Sequence, residues 1–202
     1  MLQAGPPAAL EGVQQAIGGA GKLLVVEPRR TLALKVAERG NVEVVSVAPS
    51  GTERFGAFDA LVAAPMNVPR WSIDATLRLA GSNLRPGGRF VIDLPGHPMS
   101  EDLAEAYERA DRDTAEIEPW IGPTREDFEA SLARTGLRDT KVVEHHHVVR
   151  FESPLLLARL ACEHAPAAQP YCDDLTLRLV ERMRTTGAAD YVIRRIAALG
   201  MR

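Results

Sequence analysis

Leu84-Arg85-Pro86-Gly87-Gly88-Arg89-Phe90-Val91-Ile92-Asp93-Leu94 is the stretch whose reading decides the fold. A polar helix end runs into Pro-Gly-Gly and then into an apolar, β-branched run, the punctuation of a helix that stops and a buried strand that begins. Upstream, Phe58 to Ala64 is a second apolar run that carries one acid, Asp59. Between them, Trp71, Ile73, Ala75, Leu77, Leu79, Ala80 and Leu84 recur with helical spacing. The unit is strand-helix-strand, with strands predicted at Ala60–Ala64 and Phe90–Leu94.

The alternation continues toward the N-terminus. Val42 to Val47 reads as a strand, Arg30 to Arg39 as a helix stopped by Gly40, and Leu23 to Glu27 as a buried strand. Ala8 to Ile17 is helical and ends at Gly18-Gly19-Ala20-Gly21. Repeated β-α-β with continuously apolar strands implies an α/β, doubly wound, Rossmann-like fold. Its sheet is mainly parallel, because right-handed crossovers place helices on both faces.

Composition bounds the rest. A chain of 202 residues, 46% hydrophobic and 25% charged, buries a substantial core as one domain. Residues 96–123 read as a lid-like insertion and 154–202 as a C-terminal helical extension. The net charge of −3, with no basic stripe interleaved with aromatics, argues against nucleic acid. No run of about 18 apolar residues is present to span a membrane, and the first residues lack the basic-then-apolar pattern of a signal peptide. A cytoplasmic location is the resulting expectation, and Cys162 and Cys172 fit reduced thiols there. The cluster Glu144-His145-His146-His147 would place His145 and His147 on one face of a strand. With Cys162, His164 or Cys172 nearby a metal site is conceivable, but the spacing carries no ligand signature, and no metal is assigned.

The order of these pieces resembles the class I S-adenosylmethionine-dependent methyltransferases, in particular the small-molecule, type 11-like members with an LRPGG turn before the fifth strand. The matching phrases are Val25-Val26-Glu27-Pro28, Ala37 to Val45, Phe58 to Val62 and Leu84 to Leu94, followed by Thr124 to Leu132, Thr135 to Val143 and Val149 to Pro154. The resemblance implies seven strands, with an antiparallel edge hairpin near Lys141–Glu144 and Val148–Phe151. It makes Leu23–Glu27 the second strand. Glu27 then accepts hydrogen bonds from the cofactor's ribose hydroxyls, and Asn67, after strand four, is either near the reacting centre or a turn residue before Pro69. Within the acid-rich Gly96–Pro123 insertion, Tyr107 and Trp120 either line an acceptor pocket or pack into a hydrophobic seam.

The family's opening motif is a strand, an acid and a G-x-G-x-G loop, which lets backbone approach the cofactor without an intervening Cβ. On this alignment the loop falls on Gly5-Pro6-Pro7-Ala8-Ala9. Only Gly5 remains, Gln3 stands for the acid, and Pro7 and Ala9 replace glycines. After strand three, Val47-Ala48 stands where an acid-small pair receives the adenine amino group. The cofactor residues implied are Gly5, Glu27, Val47, Ala48 and Ala64, as a degraded site. Two readings follow. In the first, a methyltransferase-like protein binds S-adenosylmethionine weakly or not at all and acts as a non-catalytic interaction or regulatory protein. In the second, an active S-adenosylmethionine-dependent methyltransferase modifies a small molecule through an atypical loop. The apolar stretches Leu155–Ala161, Leu175–Met183 and Tyr191–Leu199 read as helices, and a homodimer through them, or a protein partner, is the corresponding expectation.

Overall fold

Leu23-Leu24-Val25-Val26 has no polar side chain to give to water, so as a strand it must lie inside a sheet covered on both faces. In the computed structural model this strand, β1 (Leu23–Val26), is buried at every position. The structure describes residues 6–27, 30–38, 40–64, 72–96, 123–150, 153, 155, 172–186 and 190–202. β1 pairs in parallel with β2 (Val42–Val45) on one side and with β3 (Phe58–Ala63) on the other, Leu23 standing opposite both Val42 and Ala60. β3 pairs in parallel with β4 (Leu84–Pro95).

The remaining strands are β5 (Arg138–Arg150) and β6 (Asp190–Met201), and the sheet order is β2-β1-β3-β4-β6-β5. β6 runs antiparallel to β4. The Gly87 N–H donates to the Arg202 carbonyl at 2.8 Å, and the Arg202 N–H donates to the Gly88 carbonyl at 3.0 Å. Farther along, the Gly96 N–H reaches the Arg194 carbonyl at 2.9 Å.

Alternate strand residues feed two cores, as a pleat of period two requires. On one face, α3 (Ile73–Asn83) and α4 (Arg125–Ala133) bring Leu77, Leu79, Phe128 and Leu132 against Leu24, Val26, Leu61, Phe90, Ile92 and Ile196. On the other, α1 (Pro6–Ile17) and α2 (Arg30–Ala37) bring Leu10 and Val36 against Leu23, Val25, Ala60 and Val62. Both helices of the first face carry side-chain N-caps. Ser72 accepts from the Ala75 N–H at 3.1 Å, and Thr124 forms a reciprocal capping box with Asp127. The chain divides into two compact units. One holds residues 1–94, 123–144 and 196–202; the other holds 95–122 and 145–195, including α5 (Cys172–Thr186).

The Pro-Gly-Gly punctuation is real but sits inside β4. Phe58 pairs with Leu84 and Ala60 with Arg89, so five steps along β4 answer two along β3 and the extra residues bulge out. Gly87 takes φ +78°, and a Cβ on Gly88 would lie 2.9 Å from the carbonyl oxygens of both Arg85 and Phe58. Glycine is therefore required at both positions.

The strands predicted at Leu23–Glu27, Ala60–Ala64 and Phe90–Leu94 and the helices at Ala8–Ile17, Arg30–Arg39, Trp71–Leu84 and Leu175–Met183 are present with shifted ends. Two expectations are corrected. Tyr191–Leu199 belongs to strand β6, not to a helix. Its Arg195, Ile196, Ala197 and Ala198 are all buried, the signature of a strand covered on both faces, and tertiary pairing there overrides the helical spacing. The edge hairpin does not turn at His145–His147, because β5 continues to Arg150. That segment holds no Gly, Pro, Asn or Asp to form a turn, and the antiparallel partner of this edge is β6. Six strands, where seven were expected, are found among the described residues. The Leu155–Ala161 helix and most of the 96–123 insertion lie outside the described residues.

Gly88→Ala is expected to lower stability by roughly 1–3 kcal/mol, because the new methyl meets two backbone carbonyls that cannot rotate away. Gly81→Ala, in the interior of α3 with open space where the new methyl would project, should instead raise it by about 0.5–1 kcal/mol. Urea denaturation of the two variants checks the contrast.

Candidate functional site

From β1 the chain passes through α2 to β2 on one side and then returns past β1 to β3 on the other. The winding reverses between β1 and β3, and open α/β sheets bind ligands in the crevice outside the carboxyl ends of strands at such a reversal. The register defines what stands there. Val26 lies opposite Val45 and Ala63, and Ala63 lies opposite Ile92. One residue further, Glu27, Ser46, Ala64 and Asp93 therefore share a level. By the pleat, Glu27, Ala64 and Asp93 follow Val25, Val62 and Val91 onto the face covered by α1 and α2.

Glu27 is the dominant group. It is 1% exposed, and its backbone extends the β1 ladder by donating to the Val45 carbonyl at 2.9 Å. Asp93, two strands away and so roughly 10 Å distant, is half-buried. Both acids are engaged in polar interactions within the protein. A buried carboxylate at a strand end is suited to accept hydrogen bonds from a hydroxyl pair or a cationic group that enters the crevice.

The sequence that links β1 to α2 bears on the same strand end. It reads Glu27-Pro28-Arg29 before α2 begins at Arg30, and no glycine occurs between Gly21 and Gly40. Pro28 contributes no N–H, and every residue of the turn carries a Cβ. Pro28 and Arg29 themselves lie outside the described residues.

At the carboxyl end of β2, Ser46-Val47-Ala48 leads into residues 46–57, which reach β3 with no helix. The predicted Val42–Val47 strand thus stops at Val45, and Val47 is 62% exposed. Two side chains hold this crossover. Asn83, fully buried at the end of α3, accepts from the Phe55 N–H at 2.6 Å and donates to the carbonyls of Glu53 at 3.0 Å and Leu79 at 2.9 Å. Glu53 accepts from the N–H groups of Ser50 at 2.7 Å and Gly51 at 2.8 Å. Burial opposes its ionisation, but these backbone bonds and the Ser50 hydroxyl outweigh it and hold the carboxyl at about 2, well below its ordinary 4.5. Gly51, at φ +83°, lies against Ala75 and Arg78 of α3. The loop is anchored to α3 at three points, and its one acid is committed to the loop itself.

The structure brings Glu27 and Ala64 of the predicted site together at the crevice and leaves Val47 and Ala48 exposed at the neighbouring strand end. Gly5 lies outside the described residues, as do Asn67, Tyr107, Trp120, Cys162 and His164. Pro7 and Ala9, read as part of a loop, lie in helix α1 ahead of β1. The physical reason is Leu10, which packs into the core under β1 and β3 and ties the segment to a helical face. Leu23–Glu27 is accordingly the first strand of the winding and not the second. The turn in the position of the first βα connection is Glu27 to Arg30. Sequence reasoning missed Asp93, although it is the only charge in Phe90–Leu94. His145 and His146 lie on β5, and no group of three or more His, Cys, Asp or Glu able to hold a metal gathers among the described residues.

No protein-family profile matches this chain, and no curated protein sequence matches it. Solved structures do. The chain is similar to a provisionally designated methyltransferase of Bacillus halodurans, at 14% identity and a TM-score of 0.55, with 96% of each chain covered. It is also similar to the YcgJ protein of Bacillus subtilis, at 10% identity and a TM-score of 0.57, with 96% of this chain and 98% of the other covered. The fold is that of the class I S-adenosylmethionine-dependent methyltransferases. No helix among the described residues is long and apolar enough to cross a membrane.

Because the Glu53 carboxyl titrates lower in the folded chain than in the unfolded one, the stability it contributes is present above its unfolded value. That contribution is lost as pH falls from about 4.5 toward about 2. Glu53→Gln is expected to lower the melting temperature at pH 7 and to flatten the acid limb in that window. Thermal melts from pH 7 to pH 2 compare the two chains.

Proposed function

We propose that this chain is a methyltransferase-like protein whose cofactor site is degraded, and that it serves as a non-catalytic interaction or regulatory protein. The observation that carries the reading is that the sequence joining β1 to α2, Glu27-Pro28-Arg29-Arg30, holds no glycine where the winding of the sheet reverses. A nucleoside-bearing ligand at that position needs backbone N–H groups at close range. Pro28 has no N–H to supply, and the sequence Glu27-Pro28-Arg29-Arg30 holds no glycine. At the end of β2, Ser46-Val47-Ala48 offers no carboxylate, while Glu53 is held by its own loop. The residues present do not fit S-adenosylmethionine in its usual seat, and no methyl-transfer step is derived for it.

Several absent hydrogen bonds at about 1 kcal/mol each weaken binding by orders of magnitude. The second reading, an active enzyme acting on a small molecule through an atypical loop, draws its support from Glu27. Its buried carboxylate at the end of the first strand would still accept hydrogen bonds from a ligand that enters the crevice.

Titration calorimetry with S-adenosylmethionine and S-adenosylhomocysteine separates the two. The expected dissociation constant is no tighter than about 100 μM. Low-micromolar binding would reject the non-catalytic reading and restore the enzymatic one. Any binding that is seen should weaken in Glu27→Ala, and unchanged affinity removes Glu27 from the ribose role. Pro28→Gly should strengthen binding if the turn is what excludes the ligand.

A further inference from the structure

A doubly wound sheet ordinarily carries a third strand outside its second. Here β2 is the outermost strand on its side, with no described strand beyond it. Its inner edge is fully used. Leu23 and Glu27 donate to the carbonyls of Asn41 and Val45, both at 2.9 Å, and the alternation of a parallel ladder assigns Glu43 to β1 as well. The N–H and C=O groups of Val42 and Val44 therefore point outward. Shortness is the main guard of this edge, since Val42–Val45 is four residues long and holds no proline, lysine or bulge and only one charge, Glu43. Beside it Val47 is 62% exposed, and Leu34 of α2 is 60% exposed.

We propose that β2 is a self-association surface, on which β2 of a second copy adds antiparallel to make one sheet continuous across both molecules. A two-fold interface must be self-complementary, and the charge pattern here meets that condition in one register. With Val44 opposite the partner's Val44, the outward groups of Val42 meet those of the partner's Ser46. Glu43 then lies across from the partner's Val45. The alternative that centres on Glu43 sets two like charges directly opposite each other and is disfavoured. α2 packs behind β2 through Val36, next to Val42 and Val44. Its exposed Lys35 and Glu38 lie one turn apart, so two antiparallel copies of α2 oppose unlike charges.

Sedimentation equilibrium of the full chain is expected to give twice the 21.9 kDa chain mass. Val44→Pro removes an outward donor at the cost of some packing against Val36, and its preceding residue is already extended, so this variant should fold with lower stability and sediment at half the native mass. Val44→Cys under mild oxidation should give a covalent dimer whose linked peptides map to position 44, since the register sets those Cα atoms about 5.5 Å apart. A native chain that is monomeric at micromolar concentration overturns the proposal. So does a dimer that survives Val44→Pro, which would place the contact in the C-terminal segment instead. If Val44→Pro fails to fold, the covalent test decides alone: a dimer with no link at position 44 rejects the edge.

Discussion

The constraint on which the molecule depends is the complete burial of β1. Four apolar residues with neither face exposed demand a strand on each side and a helical layer above and below. The rest of the first unit is the means by which this chain meets that demand. Alternate residues of β1 enter different cores, Leu24 and Val26 one and Leu23 and Val25 the other. β1 is thus the element through which both helical layers are coupled. Each of its leucines is fully buried, so truncating either one would leave a cavity in the middle of the sheet and not at its margin.

Burial of β1 also determines where chemistry can happen. Because the winding reverses at β1, its carboxyl end opens onto that reversal, and Glu27 is delivered there by the strand's own pleat. The same geometry exposes how little else is supplied. Asp93 stands at the same level two strands away, while Ala64 between them offers only a methyl group. The β2–β3 crossover spends its carboxylate and its amide partner, Asn83, on its own shape. An architecture that positions one acid so firmly does not by itself fix the contacts a ligand would make around it.

Much of the fold was legible because β1, β3 and β4 are apolar runs bounded by strong breakers, and a buried parallel strand announces itself in that way. β6 was not legible. Ile193, Ile196, Ala197 and Leu199 fall at helical spacing, and only the slot between β4 and β5 turns that stretch into a strand. The candidate site was half legible for a related reason. Pro6 to Ala9 resembled a broken loop, and accepting it moved Leu23–Glu27 and Val42–Val47 one place too far along the winding. Glu27 therefore received the right location and the wrong rank. Asn83 carried no local signal at all, because its bonds to Phe55 and Glu53 span 28 and 30 residues.

The antiparallel seam between β4 and β6 has a kinetic side. The Arg202 guanidinium reaches the Leu84 carbonyl across 118 residues of chain, beside the paired backbone bonds at Gly87 and Gly88. β1 to β4 can assemble from neighbouring segments, but β6 must return over that distance to pair with β4, and β5 joins the sheet only through β6. Closing so long a loop is entropically costly before any contact rewards it. Until that pairing forms, the β4 edge is open, and an open edge is the part of a sheet most prone to associate with another chain.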